Sequence, residues 1–600
     1  MKESLDFAIS DAEREIADKS VQMALDAGAS AVMVSLDKAK TEIYALLDGE
    51  IDNIRQTGDR SLTFNIYADG KYGTFSTNRF EEDSLRDFLC KAVETVRMLV
   101  ADPFRGLPDK KDLATDAVNG DEMGLCWYGY DSVTREEKLE MARRVSVFGE
   151  FSAPSSDRNW RVVSEEVEYN NTLSDTYLTS SDGCRCRQTE TSFEVSSQVT
   201  VEDNEGNKYS GLWWDYDVSP EKVLSSECGR KAVEMAVMQI SPVNAVKGKY
   251  TMVVSRLVSG RLLQPVLNAL SSLSVYQKSS FLVDALGKQV FSKGLNVMDM
   301  PLEKGKSGAI LFETDGRACM NREIISDGVV KENFTSIYMS RKLGIPPTSS
   351  CPNRPVLLPF VSEELLGGEH GAVSGGERGV ELGVVNGSER GVELGAASGD
   401  GRGVERCETS GSGLGGDCGE VSGAGFGAVN GGGRGAELGA ERGAELGEMS
   451  GCGLCGDCGE VSGDVFGAAS GGERGVELGV VNGGGRGAEL GAVNGAERGL
   501  KADPFVNEIA QQDILDLCGS GILVTDFNGG NCNSATGDFS YGVSGFLFEN
   551  GKITSPIDSM LITGNMTDLW SNLLATGSDP VPGMSRQVPT LAFKDVTFNA

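Results

Sequence analysis

The sequence predicts an α+β protein: an N-terminal α/β unit, a β-rich remainder with helices, and a glycine-rich low-complexity insert that interrupts the C-terminal part. Three observations support this prediction. Apolar residues recur at helical and then at strand spacing near the N-terminus, a long middle stretch alternates as an antiparallel meander does, and the composition changes abruptly near residue 363. The 600 residues allow several domains, and a hydrophobic content of 40% permits a sizeable core.

The N-terminal unit is predicted to contain a strand-rich segment between two helices. Apolar spacing predicts the first helix from Asp11 to Gly28. Strand-like runs follow as AVMVSL, TEIYALLDGEIDNIRQ and SLTFNIYADGKYGTFST, with the Asp-Gly pair of a β-hairpin turn at 68–71. A second helix from Glu82 to Leu99 completes the unit.

The rest of the chain alternates helices and strands less regularly. A helix near Arg135 to Phe148 leads into a meander that includes VVSEEVEYNNTL, SFEVSSQVTVED and KYSGLWWDY, and a helix from Pro220 to Met238 follows. The C-terminal part contains KYTMVVSR, a further helix, and, beyond the insert, the strands GILVTDF, GFLFENGKI and SMLITGN. We therefore divide the chain into residues 1–110, 111–245, 246–362 with 501–600, and an insert at 363–500.

The insert consists of repeats and holds more than half of the 79 glycines. Units such as RGVELG and RGAELG recur, mostly twelve residues apart. Glycine at this frequency costs backbone entropy that the few apolar side chains do not offset, so disorder is the expectation. A parallel β-solenoid is the alternative, although the spacing drifts.

One copy of the repeat carries a cysteine pattern typical of metal sites. Cys452, Cys455 and Cys458 lie at CxxC spacing in GCGLCGDCGE. An earlier copy, GSGLGGDCGE, has Ser412 and Gly415 at the first two of these positions, and structural zinc requires four ligands. We interpret the pattern as drift in a duplicated segment, with adventitious metal binding as the alternative.

Composition excludes several classes of mechanism for the globular parts acting alone. The single histidine, His370, lies in the insert. Neither globular part can therefore supply the imidazole base of Ser-His-Asp or Cys-His hydrolysis, or histidine ligands for catalytic zinc. The formal charge of −33 argues against direct nucleic-acid binding.

Targeting signals are not evident. No run approaches the roughly 18 apolar residues of a membrane helix, and the charged N-terminus lacks the apolar segment of a signal peptide. The 14 cysteines have no framework spacing, which is typical of a reducing compartment. We expect a cytoplasmic protein that does not bind membranes.

Three smaller clusters have simple structural interpretations. Two cysteines alternate along one strand, three glutamates are expected on a solvated strand face, and two tryptophans are expected in core or interface packing. These clusters are Cys184 with Cys186, Glu165 with Glu166 and Glu168, and Trp213 with Trp214.

Six runs together resemble the TldD/PmbA family, once called modulators of DNA gyrase. They occur in the family's order and span almost all of the chain except the insert. The runs are DGEIDNI at Asp48, ADPFRGLPD at Ala101, SVYQKSSFLVDALGKQV at Ser274, SRKLG at Ser340, TGDFSYGVSGFLFENGKI at Thr536 and ITGNMTDLW at Ile562.

The resemblance favours one branch of this family. TldD-like members carry His-Glu-x-x-x-His on a helix and a distant cysteine as zinc ligands, whereas TldE- or PmbA-type members lack them. The matching helix here reads RLLQPVLNALSS, with Gln264 and Ala269 where the two histidines are expected and Pro265 where the glutamate is expected. The last cysteine is Cys532, so the tail holds no third ligand.

The resemblance implies an N-terminal α/β domain, a C-terminal β-barrel-like domain, and a heterodimer with a TldD-like subunit. That partner would hold the zinc, and this chain, without catalytic residues, metal or cofactor of its own, would form cavity wall and interface. The complex would process or degrade unfolded or precursor peptides that bind as an added strand. Within the matched tail, Asp538, Tyr541 and Ser544 are candidates for the peptide groove.

Other interpretations remain open from the sequence. Gly537, Gly542 and Gly545 are expected either beside that groove or simply at turns and close strand approaches. The chain could instead be an enzyme that uses carboxylates or lysine without metal, or a stand-alone peptide-binding or gyrase-associated modulator without proteolytic activity. A homodimer in the absence of the partner is a further alternative.

Overall fold

The computed structural model describes residues 5–367, 509–581 and 583–599. The predictions of disorder or a solenoid in the insert, the triple cysteine and His370 all lie outside these residues. Within them, helices and strands mix along the whole chain, which confirms the α+β class.

The first region contains two helices and three long strands. The elements are α1 (Asp11–Asp26), β1 (Ala31–Leu47), β2 (Glu50–Ala68), β3 (Lys71–Thr77) and α2 (Glu82–Met98). Helix α1 begins at a capping box in which Ser10 and Glu13 satisfy each other's backbone N–H groups. The Asp-Gly turn forms at Asp69 and Gly70, both with positive φ, as a hairpin of this kind requires.

The middle region carries the meander and the helices that cover it. The elements are α3 (Arg135–Val145), α4 (Phe148–Phe151), β4 (Trp160–Ser180), β5 (Arg185–Asp203), β6 (Lys208–Asp217), α5 (Glu221–Leu224) and α6 (Cys228–Val237). The single helix predicted from Pro220 to Met238 is wrong, because the buried Ser226 interrupts it. Its hydroxyl donates to Asp215 at 2.7 Å and accepts from the N–H of Cys228, the first residue of α6, at 3.2 Å.

The strands of these two regions form one antiparallel sheet of six strands in the order β3-β2-β1-β4-β5-β6. The predicted division near residue 110 falls between β3 and β4, and β1 pairs with β4 over their length. Helices α1, α2, α3 and α6 pack against one face of this sheet, over two apolar clusters. The side chains on the opposite face of β4 and β5 are mostly polar.

The C-terminal region is built around a closed barrel. Its elements before the insert are β7 (Gly248–Val254), α7 (Gly260–Ala269), α8 (Ser272–Gln277), β8 (Val297–Asp299), β9 (Arg322–Ser326), β10 (Val329–Val330), α9 (Ile337–Leu343), β11 (Pro355–Leu357), β12 (Phe360–Val361) and α10 (Glu363–Gly367). Those after it are α11 (Gln511–Cys518), β13 (Ser520–Cys532), β14 (Asp538–Glu549), β15 (Lys552–Asn565), α12 (Met566–Ser571), β16 (Leu573–Thr576) and β17 (Leu591–Asn599).

Barrel closure depends on strands from both sides of the insert. Strand β7 pairs in parallel with β13 and antiparallel with β17, and β14 and β15 complete the ring. The barrel-like C-terminal domain is therefore confirmed. Strands β8 to β11 form a separate sheet of four strands.

The expectation that Glu165, Glu166 and Glu168 form one solvated face is wrong. Glu165 is fully buried on the helix-covered face, where its carboxylate accepts the N–H groups of Val147 at 3.0 Å and Phe148 at 2.9 Å. Glu166 and Glu168 lie on the opposite face, because successive strand residues alternate.

The other two clusters have the predicted structural roles. Cys184 and Cys186 are buried on one strand face with their sulfur atoms 3.6 Å apart, and this neighbour together with burial raises the pKa of the Cys184 thiol. Trp213 and Trp214 are both buried.

Removal of residues 367–499 is expected to leave folding intact, and with it the association with the TldD-like partner that the resemblance implies. Leu365 of α10 packs against the same apolar cluster as Ile509 and Ile514, so the described residues on the two sides of the insert lie close together. The cost of closing a loop grows only slowly with its length. Soluble yield, melting temperature and co-purification with the partner check this. Loss of soluble, partner-competent protein would instead assign a structural role to the repeat.

Across the three described segments, no helix combines the length and apolar character needed to cross a membrane.

Candidate functional site

Helix α7, which the resemblance matches to a zinc-binding helix, is held deep in the C-terminal core. Leu262, Leu263, Val266 and Leu267 are buried in the barrel's apolar cluster. The indole N–H of Trp570 donates to the Leu262 carbonyl at 3.2 Å and fixes the helix against α12.

The side chains at the three motif positions of α7 do not fit a zinc ion. Gln264 offers an amide, which donates to the Asn268 side chain at 2.6 Å. Pro265 lies inside the helix without an N–H, and Ala269 offers a methyl group. Zinc in proteins is bound by thiolate, imidazole or carboxylate. The portion of the chain that the structure describes holds no group of three or more His, Cys, Asp or Glu side chains placed to bind a metal.

The last cysteine of the chain does not lie in the tail where the third ligand of TldD-like members is expected. Cys532, at the end of β13, is partly buried, and burial raises the pKa of its thiol to about 11. Its sulfur lies 3.7 Å from the Asn533 carbonyl. Zinc binding would require this thiol to lose its proton, which the raised pKa opposes.

The three candidates for the peptide groove lie on one strand but not on one face. Asp538 and Ser544 share a face of β14, and Tyr541 points the opposite way into the barrel core, where it is buried. Its ring stacks on Phe539 at 5.5 Å between centroids, and the Arg261 guanidinium lies 5.6 Å from it. Burial raises the pKa of Tyr541.

Asp538 and Ser544 are held by local hydrogen bonds. The exposed Asp538 carboxylate accepts from Thr536 at 2.8 Å and Asn565 at 3.0 Å, and these bonds hold its pKa below the usual range. Ser544 accepts from Asn528 at 2.6 Å. Because β14 pairs with β13 on one side and β15 on the other, it has no free edge for a peptide strand.

The glycines near these residues serve backbone geometry at two of three positions. Gly537 has φ of +79° and forms the turn before β14. At Gly545 a Cβ would lie 1.9 Å from the Leu523 carbonyl oxygen, so only glycine fits. At Gly542 the nearest atom would be 3.6 Å from a Cβ, which is ordinary contact.

A polar sheet face, which we did not single out from the sequence, lies opposite the helices. Glu190 and Glu194 project from β5 on this face, and Glu168 and Asn170 project from β4. Burial and the nearby Glu168 raise the pKa of Glu194 to about 8, and burial also raises the pKa of Glu168 and Glu190. A pattern in the sequence of β5 could have predicted this face, because every second residue from 188 to 198 is polar.

Two of the family-like runs meet where the first sheet joins the C-terminal region. Arg105 of ADPFRGLPD lies between two rings, with its guanidinium 5.0 Å from Tyr72 on β3 and 4.0 Å from Tyr338 on α9. Arg341 of SRKLG donates to the Leu107 carbonyl at 2.6 Å. These contacts tie β3 and α9 to the same loop.

Models of one protein family match both the middle and the C-terminal parts of the chain. The PmbA/TldA metallopeptidase central domain matches residues 128–240. The PmbA/TldA metallopeptidase C-terminal domain matches residues 247–359 and 500–600, on both sides of the insert. Together the matches cover more than half of the chain.

Curated proteins similar to the chain include PmbA proteins. Metalloprotease PmbA of Escherichia coli O157:H7 is 25% identical over 352 residues, which are 56% of this chain and 74% of that protein. A metalloprotease PmbA homolog of Haemophilus influenzae is 25% identical over 341 residues, 56% of this chain and 72% of that protein.

Solved structures share the fold. A protein described as a candidate modulator of DNA gyrase, from Bacteroides thetaiotaomicron, has a TM-score of 0.70 at 24% identity and covers 99% of this chain and 100% of its own. TldE from Thermococcus kodakarensis has a TM-score of 0.60 at 11% identity, covering 98% and 100%.

A six-stranded sheet joined to a closed barrel, together with the matched domains, places the protein among the metallopeptidase-like α+β proteins. The chain belongs to the TldD/PmbA family.

Proposed function

We propose that this chain is the non-catalytic, TldE/PmbA-type subunit of a TldD/TldE-type zinc metalloprotease complex in the cytoplasm. Its TldD-like partner would hold the zinc and the general base, and the complex would process or degrade unfolded or precursor peptides. The observation that carries the proposal is the chemistry of α7, where an amide, a proline ring and a methyl group occupy the motif positions.

Such a subunit would contribute cavity wall and an interface with its partner. Strand β14 is paired along both edges, so an extended peptide that adds a strand must pair elsewhere. The outermost strands β3 and β6 of the six-stranded sheet are the longest such edges in the described fold. Asp538 and Ser544 would contact peptide through side chains, and Tyr541 would support them from within the barrel.

Cleavage of an unfolded protein such as reduced, alkylated casein tests the proposal. The chain alone, the partner alone and an equimolar mixture are assayed, each with and without chelator. We expect strong cleavage only by the mixture and its loss on chelation. A partner whose motif glutamate is replaced by glutamine serves as the control, and its mixture with this chain should be inactive.

Two outcomes would favour the alternatives. Cleavage by this chain alone that survives chelation would indicate a metal-independent enzyme. Retained peptide binding without cleavage in any mixture would indicate a binding protein, a function consistent with the gyrase-modulator description of the Bacteroides structure.

A further inference from the structure

Three acceptor side chains converge on the polar face of the six-stranded sheet. Asn170 on β4 pairs directly with Glu194 on β5, and Glu168 lies two residues before Asn170 on the same face. Side chains of directly opposed residues lie about 5 Å apart at Cβ, and diagonal neighbours about 7–8 Å apart. We call Glu168, Asn170 and Glu194 the acceptor triad.

The triad is short of hydrogen-bond donors. Asn170 is only 4% exposed, and its side-chain oxygen has no partner among the described residues. One Glu168 carboxylate oxygen is buried and likewise unpartnered within that part of the chain. Buried acceptors are normally satisfied, and each one left without a donor costs free energy. The arrangement therefore calls for a ligand that brings several donors.

Residues on both flanks of the triad leave only its solvent-facing side open to a ligand. Ile43 of β1 pairs with Asn170 on one flank, and Tyr216 of β6 pairs with Glu194 on the other. Tyr216 lies so close to the C-terminal segment that a Cβ on Gly583 would meet its ring at 3.1 Å. Glu168 and Glu194 themselves keep partial solvent access, so a side chain can reach them from solvent.

The charged groups around the triad favour a positively charged ligand. Neither Glu168 nor Glu194 forms an ion pair with any lysine or arginine that the structure describes. Glu168 is the charged group that acts on Glu194, and Glu166 and the exposed Arg55 act in turn on Glu168. Glu190 and Glu194 both act on Tyr216 of β6. Among these groups the acidic side chains outnumber the single cation, Arg55.

We propose that the acceptor triad binds the positively charged side chain of a lysine or arginine in a peptide. This inference deepens the proposed function and rests on it for the class of ligand. An ammonium group brings three donors and a guanidinium five, which matches two carboxylates and an amide oxygen. The absence, among the described residues, of three metal-ligating side chains suitably placed favours an organic cation over a metal ion.

The protonation of Glu194 should make the affinity for a cationic peptide depend on pH. Burial and Glu168 raise the pKa of Glu194 to about 8, so without ligand Glu194 is largely protonated at neutral pH. A bound cation stabilises the carboxylate and releases that proton. Affinity for a cationic peptide should therefore rise between pH 6 and pH 9, because less free energy is spent on deprotonation as the pH approaches about 8.

Peptide binding to the full chain, without its partner, tests the inference. The probes are two unstructured peptides, both acetylated and amidated, that differ only in a central Lys-Lys or Gln-Gln pair, followed by fluorescence anisotropy. The lysine peptide should bind at least tenfold more tightly at pH 8. Glu194→Gln should reduce this preference at least fivefold and remove its rise with pH, and Glu168→Gln should also weaken it.

Glu205→Gln is the matched control, because Glu205 is exposed in the turn between β5 and β6 and loses the same charge. It should keep the preference, and equal loss in this variant would overturn the inference. Full preference in both Glu194→Gln and Glu168→Gln, verified as folded by thermal unfolding, would overturn it as well.

Two further binding measurements would identify other kinds of ligand. If a peptide with a free N-terminus and no lysine binds equally well through the triad, the site takes a terminal ammonium instead. If calcium or magnesium binds wild-type protein and not Glu194→Gln, it is a metal site. Either result contradicts the proposal. The binding test measures no cleavage. If the mixture of the two subunits fails to digest casein, the proposed function is contradicted, but the binding result still stands.

Discussion

Replacement of Gly545 by alanine is expected to lower the free energy of unfolding by roughly 3 kcal/mol or more. The added Cβ would lie 1.9 Å from the Leu523 carbonyl oxygen and 3.0 Å from the Val524 Cα, both in the backbone of β13. Neither atom belongs to a flexible side chain, so the two strands must separate. Urea denaturation followed by circular dichroism measures the change.

The same substitution three residues earlier is the control. Gly542 also lies on β14, its φ is not positive, and the nearest atom to an added Cβ would be 3.6 Å away. Gly542→Ala should change stability by no more than about 0.5 kcal/mol, because the reduced entropy of the unfolded chain offsets any small contact penalty. Similar losses in the two variants would show that the β13–β14 approach is not the cause.

Replacement of Trp570 by alanine is expected to cost about 3–5 kcal/mol. The side chain is fully buried, its ring packs edge-on against Phe593 at 5.4 Å, and its indole N–H donates to the Leu262 carbonyl. Loss of the ring leaves a cavity between α12, β17 and α7. Thermal unfolding of the purified chain measures the loss.

Trp570→Phe separates packing from hydrogen bonding. It keeps most of the apolar volume and removes the donor to α7, so we expect a smaller loss of about 1–2 kcal/mol. If α7 contributes to the interface with the proposed TldD-like subunit, co-purification with that subunit should weaken more in Trp570→Ala than in Trp570→Phe. Equal stability of the two variants would contradict the cavity argument.

Local pattern was sufficient for most elements of the first two regions. Helix α1 has an apolar stripe and a capping box, and the hairpin at Asp69 and Gly70 follows from turn chemistry, so neighbours in sequence decide both. The break at Ser226 was missed because its cause is a hydrogen bond to Asp215, which lies on another element. Glu165 was misplaced for a similar reason, since its partners come from a helix start 18 residues away.

Without the family resemblance, the sequence could not predict the features that depend on strand pairing between residues far apart in the chain. Barrel closure requires β7 to pair with β13 and β17, and no local signal states which strands meet. Among the groove candidates, the odd spacing of Tyr541 from Asp538 and Ser544 already implied opposite strand faces. The acceptor triad needs the β4–β5 register, which places Asn170 opposite Glu194. Charge counting cannot supply that register.

The barrel's connectivity bears on how the protein is made. Strand β7 ends at Val254, whereas its neighbours β13 and β17 begin at Ser520 and Leu591. At about 5–20 residues per second, a ribosome needs tens of seconds to deliver them. Throughout that interval the nascent strand carries apolar side chains and unpaired backbone groups, which are targets for chaperones. Every repeat added between the two halves prolongs this exposure during translation.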